Sequence, residues 1–148
     1  MRPEADQVLN MSAMQLLTQI LPQLPAGYAQ GTASLIAVLS MMVAQEYERG
    51  ADIRAAENAD MRALFVEIAH LISDATLNQK LKEAAETNDT SMAISSLDTA
   101  NYELRRHLIE LQMHLEGLLG AAAREAERRI WAVLKASAKR RLVRLPAI

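Results

Sequence analysis

The sequence predicts an all-α protein, and three observations support this class. About half of the 148 residues (51%) are apolar, so the chain can bury a core. Only 5 Gly and 4 Pro occur, and strong helix formers dominate the composition. Leucines also recur at helical spacing, most clearly in ELRRHLIELQMHLEG (103–117). We expect an up-and-down bundle of about four main helices, with one short helix and a basic C-terminal helix in addition.

The first helix is expected from about residue 4 to residue 21. Pro3 suits a position in its first turn, and the prolines and glycine of LPQLPAG (21–27) cannot continue a helix. Its predicted buried face consists of Val8, Leu9, Leu16, Leu17, Ile20 and Leu21. The prolines therefore predict a turn before the second helix.

The second helix is expected from about residue 28 to residue 49, with Gly50 as its C-cap. Apolar side chains cover most of its circumference, which is typical of a central, buried helix in a bundle. These side chains are Tyr28, Leu35, Ile36, Leu39, Met42, Val43 and Tyr47. Glu46 continues the Leu35 stripe. It either points inward or lies where the helix emerges into water, and the second interpretation is favoured because unpaired acids are rarely buried.

Three further helices and a short one are expected after residue 50. Helix three is expected at about 57–72, and Ser73 or Asp74 could cap a short helix at 75–86. Asp89 or Thr90 could cap the longest helix, which reaches about residue 119. Its expected core seam is Leu104, Leu108, Leu111, Leu115 and Leu118. The last helix is expected at 121–143, and Pro146 should stop it.

Charge divides the chain unevenly. Residues 1–123 contain 8 basic and 16 acidic side chains, whereas residues 124–148 contain 8 basic and 2 acidic ones. We therefore divide the chain into a helical bundle domain, 1–119, and a basic helical extension, 120–148. The extension could lie on an anionic membrane surface, bind nucleic-acid phosphates, or pack on the acidic bundle or on a partner subunit. The packing interpretation is favoured, because the extension lacks the interleaved aromatic residues that stack on bases.

A stripe of four polar residues is the main candidate for chemistry. Glu103, His107, Glu110 and His114 recur at helical spacing, beside the leucine seam rather than on it. Di-metal bundles use Glu from two helices and Glu-x-x-His from two others, and only Glu67–His70 matches the second pattern. The favoured interpretation is a solvated flank of the helix. Metal binding by this stripe remains the less favoured alternative, and a general acid–base role for one histidine stays open.

A second apolar line on the same helix suggests an interface. Tyr102, Ile109 and Met113 lie opposite the leucine seam, so either another helix of the chain or another subunit should cover them. Trp131 in the last helix is a further surface candidate. Because symmetric dimers are the commonest oligomers, the line favours a homodimer.

Other chemistries lack their signatures in the sequence. The chain has no cysteine, which excludes disulfides and Cys nucleophiles and is compatible with the reducing cytoplasm. No P-loop, GxGxxG, HExxH or GxSxG motif occurs. The N-terminal residues lack a signal-peptide core, and the apolar run 33–44 is too short for a membrane span. We expect no cofactor.

Three stretches carry a family resemblance: RPEADQVL (2–9), YAQGTASLIAVLSMMVAQEYERGA (28–51) and LDTANYELRRHLIELQMHLEG (97–117). They resemble a family of short bacterial helical proteins without an assigned activity. Members are often encoded near acyl-CoA dehydrogenase-like and aminoglycoside-phosphotransferase-like proteins. The resemblance implies a helical bundle and an association with acyl-CoA metabolism, and it transfers no catalytic residue.

Taken together, these observations favour a cytoplasmic, non-enzymatic protein that acts as a homodimeric accessory subunit for a neighbouring enzyme. Tyr102, Ile109, Met113 and Trp131 are its interface candidates. One alternative is a small bundle enzyme, or an acyl-ligand or metal-binding protein, that uses the Glu103–His114 stripe. Another is a nucleic-acid or membrane-surface binder that uses the basic extension.

Overall fold

The computed structural model describes residues 3–144, and these contain helices and no strand. The all-α prediction is therefore confirmed, while the predicted stop at Pro146 lies outside the described residues. Five α-helices follow one another: α1 Ala5–Gln15, α2 Tyr28–Ile68, α3 Ala75–Glu86, α4 Ile94–Glu116 and α5 Ala121–Arg140. None of the helices within 3–144 combines the length and apolar composition that a membrane span requires.

The prediction of a helix end at Gly50 is wrong. Helix α2 continues through Gly50 for 41 residues and joins the segments that were expected to be helices two and three. A glycine inside a helix costs about 1 kcal/mol relative to alanine, which the strong helix formers on both sides can offset. Glycine ends a helix only where the chain turns there, and Gly50 is instead buried within α2.

The chain forms two compact units. Unit 1 comprises residues 1–50 and 143–148, and unit 2 comprises residues 51–142. The division into these units reflects which residues of the chain contact one another. The domain boundary at residues 119 and 120, which was based on charge, stays a prediction.

Unit 1 contains α1 and the first half of α2, which we call the hairpin. After α1, a π-helical turn at Leu16–Ile20 and a 3-10 turn at Leu21–Gln23 extend the helical run to the point where Pro25 and Gly27 end it. The small core of the hairpin is formed by Ala13, Ala37 and Met41, against which Leu16 and Leu17 pack.

Burial in the hairpin contradicts the prediction that the apolar face of helix two is buried. Leu35 is 58% exposed and Leu39 49%, and Tyr28, Ile36, Met42, Val43 and Tyr47 are exposed as well. The helix instead buries Ala33, Ala37, Met41 and Ala44. Val8 on α1 and Ile20 in the π-helical turn are also exposed, contrary to the prediction. Glu46 lies on the surface, in agreement with the favoured interpretation.

Unit 2 contains the main hydrophobic core. The second half of α2 contributes Met61, Leu64, Phe65 and Ile68 to it. Helix α3 adds Leu77 and Leu81, helix α4 adds Leu104, Leu108, Leu111 and Leu115, and helix α5 adds Ala126 and Ile130. The leucine seam is thus confirmed except at Leu118, which is exposed because α4 ends at Glu116.

The helix ends in unit 2 follow local chemistry. The Asp74 side chain accepts a hydrogen bond from the backbone N–H of Leu77 at 2.9 Å, which confirms it as the cap of α3. The predicted caps of α4 at Asp89 or Thr90 are wrong, because α4 begins only after Ala93. Gly120 has φ 138°, a backbone conformation that strongly favours glycine, and it separates α4 from α5.

Candidate functional site

The most polar part of the unit 2 interior surrounds Glu57 of α2, which is only 2% exposed. Arg141 donates to both carboxylate oxygens, from Nε and Nη2, at 2.7 Å each. Ser137 Oγ donates at 2.6 Å, and Arg105 Nη2 lies at 3.3 Å. Residues of α4, of α5 and just beyond α5 therefore converge on one carboxylate of α2, which we call the Glu57 network.

The charges around Glu57 keep it ionised. Burial raises its pKa, but the hydrogen bonds from Arg141 and Ser137 and the charges of Arg141 and Arg105 outweigh burial. The net result is a pKa of about 2, well below the usual value of 4.5. At neutral pH this group is a fixed anion, so it has neither a proton to donate nor the basicity to accept one.

Amides extend the network along α2 and α4. Asn101 Nδ2 donates to Asn58 Oδ1 at 2.9 Å, and Arg105 Nε donates to Asn101 Oδ1 at 2.7 Å. Asn58 Nδ2 donates in turn to Asp89 Oδ1 at 3.0 Å. The buried polar atoms of these side chains therefore satisfy one another, as stable interiors require.

The described cavity that borders Glu57 is very small. The cavity lined by Glu57, Met61, Arg105 and Leu108, among others, has a volume of about 10 Å³. This volume is at the lower limit for a single water molecule. The network therefore joins α2, α4 and α5, and this cavity is too small for a substrate.

The Glu103–His114 stripe does not form one site in the structure. Glu103 pairs with Arg106 at 2.9 Å, and Glu110 pairs with Lys80 at 3.0 Å. The hydrogen bond from Lys80 lowers the pKa of Glu110. Within residues 3–144, no three His, Asp or Glu side chains lie close enough together to hold a metal ion.

The two histidines of the stripe lie in different surroundings. Nδ1 of His107 and Nε2 of His114 are shielded from solvent and have no hydrogen-bond partner among residues 3–144. His107 and Glu103 line a groove of about 260 Å³, together with Arg62 and the residues Ala84, Thr87, Asn88, Thr90, Ser96, Thr99, Ala100 and Leu104. His114 is not among the residues that line this groove.

The other metal candidates are on the surface. Glu67 and His70 are both exposed, and Glu67 lies 3.7 Å from Arg129. This location agrees with the helical spacing, which puts His70 almost opposite the apolar face of its helix. The pair therefore cannot meet the Glu103–His114 stripe inside the core.

Much of the positive charge of α5 is paired within unit 2. Arg140 Nη1 lies 2.6 Å from Asp60 Oδ2, and Arg141 is bound by Glu57. Glu125 accepts from Arg128 and Arg129, and the bonds from Arg129 and Arg128 lower its pKa. Ala126 and Ile130 of the same helix are buried in the unit 2 core.

The second apolar line of α4 is exposed. Ile109 is 56% exposed and Met113 68%, and Trp131 of α5 is 66% exposed. Trp131 lines a shallow notch of about 100 Å³ with Gln112 and Glu116 of α4. We call Ile109, Met113 and Trp131 the α4–α5 patch; Tyr102 is exposed two turns earlier on α4.

Sequence reasoning missed the Glu57 network, although the sequence contained a signal for it. Glu57 precedes Met61 and Leu64 at i+4 and i+7, so it lies in the core register of α2. Asn101 lies likewise between Leu97 and Leu104 on the leucine seam. A polar residue in a core register predicts a buried hydrogen-bond partner, and Arg141 was not identifiable as that partner from spacing alone.

Comparison with protein-family models, with curated proteins and with solved structures finds no match to this chain.

Proposed function

We propose that the protein is a non-catalytic helical interaction protein, a homodimeric accessory subunit for a partner enzyme. The observation that carries this proposal is the α4–α5 patch, whose three large apolar side chains are each more than half exposed. Large apolar side chains that a folded protein leaves exposed on neighbouring helices are candidates for a binding site for another protein. Aromatic and methionine side chains are also enriched where proteins bind one another.

The polar groups of unit 2 support a structural role for its charges. Glu57, the most buried carboxylate, is saturated by donors and lies beside a cavity too small for a substrate. Arg140 and Arg141 are held by carboxylates of the same unit, which favours packing of α5 over phosphate binding.

The family resemblance suggests a setting for this function. It makes an acyl-CoA dehydrogenase-like enzyme the first partner to examine, and the absence of cysteine is compatible with the cytoplasm. The partner should present an apolar surface with a basic rim, because Glu116 and Glu127 border the notch at Trp131.

The test is site-specific photo-crosslinking in cells, with benzoylphenylalanine in place of Met113. We expect cross-links to one partner enzyme, which is then purified together with this protein. In the purified pair, Met113→Glu should weaken binding roughly 100-fold, because it introduces a charge into an apolar interface.

The matched control is Val66, an exposed apolar residue of the same unit that lies on α2 and outside the patch. Val66→Glu should change the affinity less than threefold. Equal weakening by the two substitutions would contradict a docking role for the patch, and a monomeric wild type would contradict the homodimeric part of the proposal.

Binding of a small molecule in the groove beside His107 is the second candidate function. The volume of about 260 Å³ approaches that of small-ligand pockets, and the shielded Nδ1 of His107 lacks a partner. This candidate retains one half of the Glu103–His114 stripe. A short acyl group or another small ligand with a hydrogen-bonding end would suit such a groove.

Native mass spectrometry and elemental analysis of untagged protein, purified without chelators, test this second candidate. A bound ligand should be lost in His107→Ala and retained in His114→Ala, since only His107 lines the groove. Retention in both variants would contradict it. Stoichiometric iron, manganese or zinc would instead favour the metal alternative.

A further inference from the structure

We infer that two copies of this chain associate through their hairpins, the α1 and Tyr28–Gly50 segments of unit 1, to form a four-helix bundle. This inference rests on the proposed homodimeric function and identifies the surface that forms the dimer. It differs from the expectation that Ile109 and Met113 form that interface, and it leaves the α4–α5 patch for the partner enzyme.

In the hairpin, α2 buries mainly small side chains and exposes most of its large apolar ones. Ala37 is fully buried against α1, and Ala33 and Ala44 are buried on the same side of the helix. Leu35 and Leu39 lie on the opposite side and are about half exposed. A helix that faced only water on that side would carry polar residues there, so the leucines predict a second contact surface.

The described core of the hairpin is small. In the part of unit 1 that the structure describes, the buried cluster consists of Ala13, Ala37 and Met41, with Leu16 and Leu17 partly buried around it. Segments of about 50 residues rarely hold a fold without more burial than this, a disulfide or an oligomer. The chain has no cysteine, so no disulfide supplies this stability, and association of two copies would add to it.

The exposed apolar surface of α2 in the hairpin is large. Seven large apolar side chains of α2 between residues 28 and 47 are exposed: Tyr28, Leu35, Ile36, Leu39, Met42, Val43 and Tyr47. At roughly 100 Å² exposed for each, they supply on the order of 700 Å² per copy. A standard specific interface buries about 800 Å² per partner, so a symmetric pair of hairpins approaches the size of a stable interface.

The absence of charge identifies the occupant as a second copy. Residues 28–45 contain no Asp, Glu, Lys or Arg. A partner of complementary charge therefore has nothing to recognise, whereas the same apolar surface on a second copy is complementary by symmetry. A helix that lies on an anionic membrane carries Lys and Arg on its polar face, and residues 28–48 have neither.

The breadth of the apolar surface favours a bundle over a two-stranded coiled coil. Leu35, Leu39 and Met42 form one stripe, and Ile36 and Val43 lie about 100° away around the helix. A two-stranded seam is narrower than this. Each α2 segment can therefore contact both helices of the other hairpin.

The test is the oligomeric state of the full chain by sedimentation equilibrium. The wild type should be a dimer, and the double variant Leu35→Glu with Leu39→Glu should raise the dissociation constant at least roughly 100-fold. The matched control is Ile109→Glu with Met113→Glu on the exposed line of α4, which should change it less than threefold.

Photo-crosslinking provides a second measurement, because the hairpin variant could unfold rather than dissociate. Benzoylphenylalanine in place of Leu35 should yield a covalent dimer whose cross-linked peptides lie within residues 5–47. The same group in place of Val66 in unit 2 should yield none.

The sedimentation and cross-linking results distinguish a failure of this inference from a failure of the proposed function. A wild-type dimer that survives the Leu35 and Leu39 substitutions but dissociates in the Ile109 and Met113 variant overturns this inference alone. Cross-links from position 35 to residues 51–142, or to a different protein only, overturn it as well. A monomeric wild type at about 100 µM contradicts both this inference and the homodimeric function.

Discussion

At the scale of single residues, Glu57 shows how a charged group can occupy a hydrophobic interior. The carboxylate accepts from Arg141, Ser137 and Arg105, and these donors replace the water that burial removes. Removing one member of a buried set of paired charges usually lowers the stability by more than the intact set contributes to it. The reason is that the remaining charges stay buried without a partner.

We expect Glu57→Gln to lower the free energy of unfolding by about 2–4 kcal/mol at pH 7, since Arg105 and Arg141 lose their anion. Urea denaturation at a fixed protein concentration measures this change. Glu103→Gln is the control, because Glu103 forms only a surface pair with Arg106 and its loss should cost less than about 0.5 kcal/mol. Equal losses in the two variants would contradict a structural role for the Glu57 network.

The low pKa of Glu57 also predicts a dependence of stability on pH. Its pKa is about 2 in the folded protein, below the usual 4.5, so its stabilisation is complete above about pH 4.5 and is lost as the pH falls towards 2. The shift corresponds to roughly 3 kcal/mol. Urea denaturation between pH 6 and pH 2.5 should show a shallower decline for Glu57→Gln than for the wild type, with the remaining slope due to groups such as Asp89. Parallel curves would contradict this assignment.

At the scale of elements, the ends of α3 and α4 depend on single positions. Asp74→Ala should destabilise the protein by about 1 kcal/mol, because the backbone N–H of Leu77 loses its acceptor. Thermal or urea unfolding checks this value. Ser73→Ala is the neighbouring control and should change stability by less than about 0.3 kcal/mol.

Gly120 separates α4 from α5 through its backbone conformation. Gly120→Ala should cost about 1–3 kcal/mol, because φ 138° is strained for any residue with a Cβ. Gly117→Ala is the matched control in the same connection. A Cβ there meets the His114 carbonyl oxygen at an ordinary 3.6 Å, so its effect should be neutral or slightly stabilising. Similar losses at the two glycines would contradict the conformational argument.

At the same scale, the residues around Gly50 explain why the sequence predicted two helices where α2 is continuous. Gly50 follows Arg49 at the end of an apolar run, which is the usual pattern of a C-cap. Such a pattern reflects only the local preference of the sequence. Packing in the folded chain decided that Gly50 lies buried inside a continuous helix.

At the scale of the whole molecule, the two units differ in how their cores are completed. Unit 2 buries a full set of large residues, such as Phe65, Ile68 and Leu111, within one chain. The described core of unit 1 is small, and the inferred dimer would complete it.

Hydrogen exchange at two protein concentrations tests this difference on the full chain. Peptides from residues 28–45 should exchange several-fold more slowly at about 100 µM than at about 1 µM, because association protects only unit 1. Peptides from residues 61–72 should exchange at the same rate at both concentrations. A uniform response of the two segments would contradict separate completion of the cores.

The sequence by itself determined the helical class, the leucine seam of α4 from Leu104 to Leu115, and a cap of α3 at either Ser73 or Asp74. These features depend on spacing along one helix or on a contact three residues away, and local chemistry fixes such features. It also identified Ile109, Met113 and Trp131 as surface candidates, and these side chains are exposed.

Only the tertiary structure decided which apolar face of α2 is buried and where the positive charge of α5 is used. Alanine and leucine are both apolar, so periodicity could not reveal that the buried side is the alanine side, Ala33, Ala37 and Ala44, on which Ala37 packs with Ala13 of α1. The pairing of Glu57 with Arg141 joins positions 84 residues apart, and only the folded chain brings these opposite charges together.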